Sequence, residues 1–414
     1  MSGVVIIGGS QAGVSLAANL REKGFAAPVT IIEAGPHLPY QRPPLSKDFL
    51  SGGTDLAALE LRDRAWYQDR DITLALGSAA QAVRRDGVGG VVTTADGVEH
   101  RYERLVLATG ARARRLELPG ADLEGVHCLR DLHDAERLAR DLERARNVVV
   151  VGGGFIGLEI AAGARDRGAT VTVLEAAPRI IGRAVGEETS EFLRSAHQRR
   201  GIDIRLNAAI DSFQGGTGRI EQVMLGDGQA LAADVVVIGV GVVPRTELAE
   251  QLGLEVDGGV VVDAHALASD GRTLAIGDVA NLPNPYANAA AALPRLRLES
   301  IDHATHHAQV AAATILGTPQ EYSSTPWFWS HQGDLRLQMV GLNVGFERTV
   351  VRGDPARDKF TVLYYRDDDT LLAADCLNSP ADFMVLRRAL SAGRGLPAQL
   401  AATDAPLKAL LASV

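Results

Sequence analysis

The stretch "VVIIGGSQAGVSLAANLREKGFAAPVTIIEA", residues 4–34, decides how this chain is built. Val4 to Ile7 form a continuous apolar run, the pattern of a strand covered on both faces. Glycines follow, and then apolar residues at helical spacing: Val14, Leu16, Ala17 and Leu20. A second apolar run, Val29 to Ile32, ends at Glu33. Strand, tight turn, helix, strand and acid, in that order, describe a βαβ unit. In such a unit the first glycine permits a sharp bend, and the last lets the helix pack close on the sheet. The helix N-terminus offers unpaired N–H groups and a positive dipole end to a pyrophosphate. The acid at the end of the second strand accepts hydrogen bonds from a ribose diol.

The unit occurs twice. "NVVVVGGGFIGLEIAAGARDRGATVTVLEA", residues 147–176, repeats it element for element, pairing Gly8 with Gly152, Gly13 with Gly157 and Glu33 with Glu175. One glycine-rich turn is weak evidence, but the whole order repeated at a nearly constant offset is strong. The copies differ at the middle position, Ser10 in the first and Gly154 in the second. A serine hydroxyl there suits a phosphate oxygen, at the expense of the closest backbone approach. Two cradles imply two dinucleotides. A flavin and a nicotinamide are the natural pair, because each carries half of a hydride transfer. Glu175 repels a 2′-phosphate and so favours NAD over NADP, while Arg179 works against that preference.

Other segments fit the same plan. "ERLVLATGAR", 103–112, and "ADVVVIGVGVVPR", 233–245, read as strands where the chain crosses between two nucleotide domains. "RTLAIGDVAN", 272–281, delivers Asp278 to the C-terminal end of a strand, where ligands of open α/β sheets bind. From about residue 318 the pattern changes to strand-like alternation, followed by a helix in "SPADFMVLRRALSAG". In "YQRPPLSKDFLSG", 40–52, two prolines stiffen the backbone, cannot continue a helix, and place Lys47 just beyond them.

The 414 residues suffice for two or three domains, and 46% hydrophobic with 22% charged residues is a globular composition. A net charge of −9 argues against general nucleic-acid binding. Cys128 and Cys376 form no CxxC pair, so neither a zinc ribbon nor a redox disulfide is expected. The N-terminus lacks a basic region ahead of its apolar run, and the longest apolar stretch, 148–164, is short and carries Glu159. A cytoplasmic protein with no membrane helix is the expectation.

Taken in order, GGSQAG, RPPLSK, ATG, GGGFIGLE, LEAAPR, IGD, LES and PWFWS identify a family resemblance that covers essentially the whole chain. The chain resembles the FAD- and NADH-dependent ferredoxin reductases of bacterial oxygenases and haem monooxygenases. The resemblance implies an α/β fold with two Rossmann-like dinucleotide-binding domains of glutathione-reductase type and a C-terminal α+β domain with an antiparallel sheet. The implied boundaries are 1–114 with 243–317 for FAD, 115–242 for NADH, and 318–414 for the C-terminal domain. Carried over position by position, it assigns Gly8, Ala12 and Gly13 to the FAD pyrophosphate and Glu33 to its ribose. It puts Arg42 and Lys47 at the flavin, Ala79 and Arg130 by the FAD adenosine or pyrophosphate, Asp278 at the ribityl chain, and Ile301 and Trp327 beside the ring. It assigns Gly152, Gly154, Phe155, Ile156 and Gly157 to NADH, Glu175 to its ribose and Arg183 to its phosphates. Glu159 would reach the nicotinamide and pair with Lys47, whose cation suits the charge a flavin gains on reduction. As a first-turn residue, Glu159 would also be favoured by the helix dipole.

The implied partner is a small acidic iron–sulfur ferredoxin, of [2Fe–2S] type, reached from a monomer or weak homodimer. On an acidic chain its docking needs a local basic patch, for which Arg295, Arg297, Arg336, Arg387 and Arg388 are candidates by composition. Rubredoxin reductase and NADH oxidase are the alternatives among enzymes, and a non-catalytic NADH-sensing flavoprotein is the alternative outside them. His303, His306 and His307 in "IDHATHHAQ" share one probable helix, in positions where the family usually carries Asn and Gln. With no third acid placed beside them, ordinary polar helix residues are expected and no metal. Of Trp327 and Trp329, one is expected in the core and one over the flavin.

Overall fold

A computed structural model describes residues 3–286, 293–403 and 405–413. Contacts divide the chain into two compact units. The first comprises 1–41, 56–112 and 243–324; the second comprises 42–55, 113–242 and 325–414.

The first unit is built on a five-stranded parallel sheet. Val4–Ile7 lies at its centre, flanked by Val29–Glu33 and Arg104–Leu107, with Ile72–Leu76 and Leu274–Ala275 at the edges. All four residues of Val4–Ile7 are buried, as the continuous apolar run requires. The helix Gln11–Glu22 turns Val14, Leu16, Ala17 and Leu20 into the core. A three-stranded antiparallel sheet, Ala80–Asp86, Gly89–Thr94 and Glu99–Tyr102, is inserted between the third parallel strand and the next.

The second unit repeats this design. Asn147–Val151 is central, flanked by Thr170–Leu174 and Val235–Ile238, with Ile202–Arg205 and Val126–Cys128 outside. A three-stranded antiparallel insertion, Ile210–Gln214, Gln222–Leu225 and Ala230–Ala232, occupies the corresponding place. The repetition read from two βαβ segments therefore extends to the insertion. Only the edge strand breaks it, since Leu274–Ala275 comes late in the chain and Val126–Cys128 comes before its own cradle.

Also in the second unit, Trp327–Gln332, Leu335–Gly341, Leu371–Leu377, Lys359–Tyr365 and Arg348–Asp354 form an antiparallel sheet in that spatial order. The helix Pro380–Ser391 covers it, with Phe383 and Leu386 packed against Val340, Leu363 and Tyr365. Pro43–Ser46 forms a 3₁₀ turn. Both prolines occupy its starting positions, where no N–H is required, in keeping with a pair that cannot continue a helix. No helix among the described residues is long and apolar enough to cross a membrane.

Candidate functional site

The two cradles have matching geometry. In the first, Gly8 has φ +116°, and a methyl there would lie 2.1 Å from the carbonyl oxygen of Ala108. A methyl on Gly13 would lie 2.0 Å from the carbonyl oxygen of Gly8. In the second, Gly152 has φ +105° and its methyl would meet the Gly239 oxygen at 2.5 Å; that of Gly157 would meet the Gly152 oxygen at 2.3 Å. These four glycines are demanded by the chain itself. The acids match as well. Glu33 accepts from Gly9 N–H at 2.6 Å and Gly35 N–H at 3.1 Å; Glu175 accepts from Gly153 N–H at 2.7 Å and Ala177 N–H at 2.8 Å. Each carboxylate thus braces the turn that precedes its helix.

The middle position behaves differently. A methyl at Gly154 would find its nearest neighbour 3.8 Å away, ordinary contact distance. Nothing in the protein requires glycine there, so its smallness fits a ligand approaching the helix N-terminus. Ser10 caps the first helix without a side-chain capping bond, leaving its hydroxyl for a phosphate oxygen. Arg179 bonds the carbonyls of Gly182 at 3.1 Å and Val185 at 3.5 Å. It is turned onto its own loop. Arg183 is exposed, with a nitrogen 3.7 Å from where a methyl on Gly241 would stand. Phe155 packs on Phe328 with ring centroids 4.8 Å apart, and Ile156 is exposed.

Within the second unit, Lys47 and Glu159 meet at 2.8 Å. Only 3% of the Glu159 side chain and 15% of that of Lys47 remain accessible, so this is a sheltered pair. The carboxylate is fully satisfied. Oε2 accepts from Lys47 and, at 2.5 Å, from the Ser46 hydroxyl; Oε1 accepts from the Ser330 hydroxyl at 2.7 Å and from His331 N–H at 3.3 Å. Such saturation is what lets a charge stay buried. Lys47 also donates to the Pro43 carbonyl at 3.1 Å, so two of its three ammonium donors have partners among the described residues. The 3₁₀ turn thereby aims the lysine inward. Glu159 lies past the first turn of the helix Phe155–Asp166, which holds no acid, so first-turn dipole stabilisation does not explain it. His331 lies exposed beside the pair. Partial desolvation of its ring on the side facing the protein, then Lys47 and Arg336, hold its pKa below the ordinary histidine value.

The remaining predicted residues are distributed as follows. Ala12 is buried on the first cradle helix, and Ala79 is exposed beside the inserted sheet of the first unit. Asp278 sits in the turn Gly277–Val279, and its carbonyl accepts from Arg297 at 3.1 Å. Ile301 opens the helix Ile301–Ile315, half-buried. Arg42, Lys47 and Arg130 belong to the second unit, where Arg42 donates to the Arg130 carbonyl at 3.4 Å.

Trp327 and Trp329, two residues apart on one strand, share a face and stack with centroids 5.3 Å apart. Arg387 lies 4.4 Å over the Trp327 ring. His303 and His307 are not solvated helix residues but fully buried, with rings 4.8 Å apart and Tyr322 against both. Burial lowers His303 to about 4 and His307 well below its ordinary value. Arg295 donates to the backbone carbonyls of Val262 and Asn281, and Arg297 pairs with Glu299 at 2.6 Å. Their guanidinium groups are spent inside the first unit, which makes them poor docking cations. Among the described residues no cluster of three or more His, Cys, Asp or Glu could hold a metal, and Cys128 and Cys376 are unpaired.

Reasoning from sequence missed Ser46, Ser330 and His331 as partners of Glu159. The first two stand inside motifs that were read only for Lys47 and Trp327.

Residues 2–308 match the pyridine nucleotide-disulphide oxidoreductase family, and residues 327–411 match the reductase C-terminal family. A ferredoxin–NAD(P)(+) reductase of Sphingomonas sp. is 40% identical over 98% of this chain and 96% of its own length. Rhodocoxin reductase of Rhodococcus erythropolis is 41% identical over 99% of this chain and 94% of its own. Among solved structures, the covalent putidaredoxin reductase–putidaredoxin complex is similar with a TM-score of 0.94 and 35% identity, over 100% of this chain and 98% of that one.

Proposed function

The chain belongs to the pyridine nucleotide-disulphide oxidoreductase family, and from that premise we propose that it is an NADH-dependent, FAD-containing ferredoxin reductase of an oxygenase system. FAD, when bound, would supply what side chains lack: a centre able to take a hydride from NADH and to give up its two electrons singly to an iron–sulfur protein. The observation that carries the reading is the sheltered Lys47–Glu159 pair, its saturated carboxylate on the helix of the second cradle. It stands in a chain whose two cysteines are unpaired and 248 positions apart, so electrons have no internal disulfide to visit.

In this reading residues 1–114 with 243–317 hold FAD, 115–242 hold NADH, and 318–414 form the third domain. Gly8, Ala12 and Gly13 receive the FAD pyrophosphate, Glu33 its ribose and Asp278 the ribityl chain. Arg42, Ala79, Arg130, Ile301 and Trp327 complete the flavin contacts. Gly152, Gly154, Phe155, Ile156 and Gly157 receive NADH, with Glu175 on the ribose diol and Arg183 at the phosphates. Glu159 orients the nicotinamide and Lys47 stands by the hydride-accepting nitrogen. Glu175, with Arg179 held by its own loop, favours NADH over NADPH. The electron acceptor is a [2Fe–2S] ferredoxin and the working form a monomer or weak homodimer.

Titration of the purified yellow protein with NADH tests this. Bleaching of the flavin band, followed by its return when a [2Fe–2S] ferredoxin is added, is the expected result. An unchanged spectrum would remove the enzyme reading. Recovery with oxygen or with rubredoxin alone would replace the acceptor.

A further inference from the structure

Glu159 is held from one side by Lys47 and Ser46, and from the other by a chain of side chains that leads away from the pair. Ser330 donates to Glu159 Oε1 at 2.7 Å, Gln332 Nε2 donates to Ser330 Oγ at 3.1 Å, and Gln332 Oε1 faces His197 Nε2 at 2.7 Å. The four residues are 5%, 0%, 1% and 0% accessible. They come from three elements of the second unit: the helix Phe155–Asp166, the strand Trp327–Gln332 and the helix Glu187–Arg199.

The direction of this chain follows from charge. A carboxylate only accepts, so the Ser330 hydroxyl must spend its hydrogen on Glu159. The serine oxygen then needs a donor, which turns the amide nitrogen of Gln332 toward it. The amide oxygen is left facing His197, whose Nε2 must carry the hydrogen. The Nδ1 of His197 is buried and has no partner among the described residues, so a proton there would be unsatisfied. Burial also lowers the histidine's pKa, which favours the neutral ring. Every donor in the row points at Glu159, and one histidine tautomer closes the sequence. From Glu159 to His197 Nε2 each donor meets an acceptor, as a buried polar row requires.

We propose that His197 is a positioning residue for hydride transfer: through Gln332 and Ser330 it fixes the orientation of the Glu159 carboxylate that holds Lys47. This rests on the reading of Glu159 and Lys47 as the nicotinamide-orienting pair. Misplacement of such a group affects the reaction step more than substrate capture.

The test uses the FAD-loaded protein and its His197→Ala, His197→Gln and Gln332→Glu variants, with stopped-flow flavin reduction at varied NADH. His197→Ala should slow reduction at saturating NADH roughly tenfold and change the apparent NADH affinity less than about twofold. His197→Gln, whose amide again offers an N–H, should recover to within about threefold of the parent. Gln332→Glu keeps the size but puts an acceptor against Ser330, and should be as slow as His197→Ala. Histidine ¹⁵N spectra of the parent should show one ring locked as the Nε2–H tautomer, its signal lost in both His197 variants. A parent rate in His197→Ala would overturn the inference. So would equal slowing by His197→Ala and His197→Gln with a shared fall in melting temperature, and so would an Nδ1–H tautomer. If His197→Ala does not fold, the Gln332→Glu rate and the tautomer decide. A parent flavin that NADH leaves oxidised would overturn the reading of the site and this inference with it; the other outcomes strike the inference alone.

Discussion

The two cradles are copies in everything the protein needs for itself and differ where a ligand would come. Gly8 and Gly13 have the same backbone constraints as Gly152 and Gly157, and Glu33 braces its turn as Glu175 does. Ser10 and Gly154 differ, and there the chain places no steric demand. The contrast separates two reasons for a glycine. One belongs to the fold and is visible as a carbonyl where a methyl would go. The other belongs to the ligand and is visible only as space.

Substitutions can break this contrast. The largest effects are expected from Gly13→Ala and Gly157→Ala, since each drives a methyl to about 2 Å from a carbonyl oxygen. Each should cost ~2–3 kcal/mol of stability. Thermal melts should fall for both, with FAD lost on purification from the first and NADH binding lost from the second. Next comes Gly154→Asp, whose β-carbon would meet only an ordinary contact and whose side chain is a good helix cap. Its charge opposes a pyrophosphate, so the NADH KM should rise more than about tenfold while FAD content and melting temperature hold. A fall in melting temperature would show that the fold, not the ligand, wants this glycine.

A smaller separation is expected between the acids. Glu175→Ala should raise the NADH KM roughly tenfold and narrow the preference over NADPH, measured by initial rates with both. Glu33→Ala should instead weaken FAD retention, assayed by flavin content after gel filtration.

The second cradle has a further anchor in its own unit. Tyr364 accepts from Gly186 N–H at 2.9 Å, at the start of the helix Glu187–Arg199, and donates to Asp375. Burial raises the Asp375 carboxyl to about 7, partly opposed by its bonds to Tyr364 and Thr189. The folded state thus holds this proton to higher pH than the unfolded state. Its contribution favours folding at low pH and declines as pH rises from about 4 to about 7. Asp375→Asn should therefore lose less stability than the parent between about pH 5 and about pH 8, read from melting temperatures. The smallest effect belongs to Ser10→Gly, expected to change FAD retention by about threefold, because one hydroxyl contact is lost and a closer backbone approach gained.

Much of the site was legible because its parts are local or carried by short motifs. The cradles are continuous in sequence, and their periodicity announces strand, turn and helix before any contact is known. Lys47 and Glu159 were paired through the motifs RPPLSK and GGGFIGLE. The chain Ser330, Gln332 and His197 was not legible, since its bonds join positions 171 and 135 residues apart and nothing periodic marks them. His303 and His307 were misjudged for the reverse reason. A helix pattern shows which residues share a face but not what covers that face, and here Tyr322 does.

The sequence by itself determined the two phosphate cradles, their acids, and the antiparallel sheet with its helix in the tail. Each depends on neighbours a few residues apart, where backbone sterics and hydropathy period are decisive. The tertiary structure alone decided that Glu159 has four donors, that the tryptophans stack together, and that Arg295 and Arg297 serve their own unit. Those outcomes depend on which distant side chains folding brings within hydrogen-bond or van der Waals reach, and a linear pattern does not encode that distance.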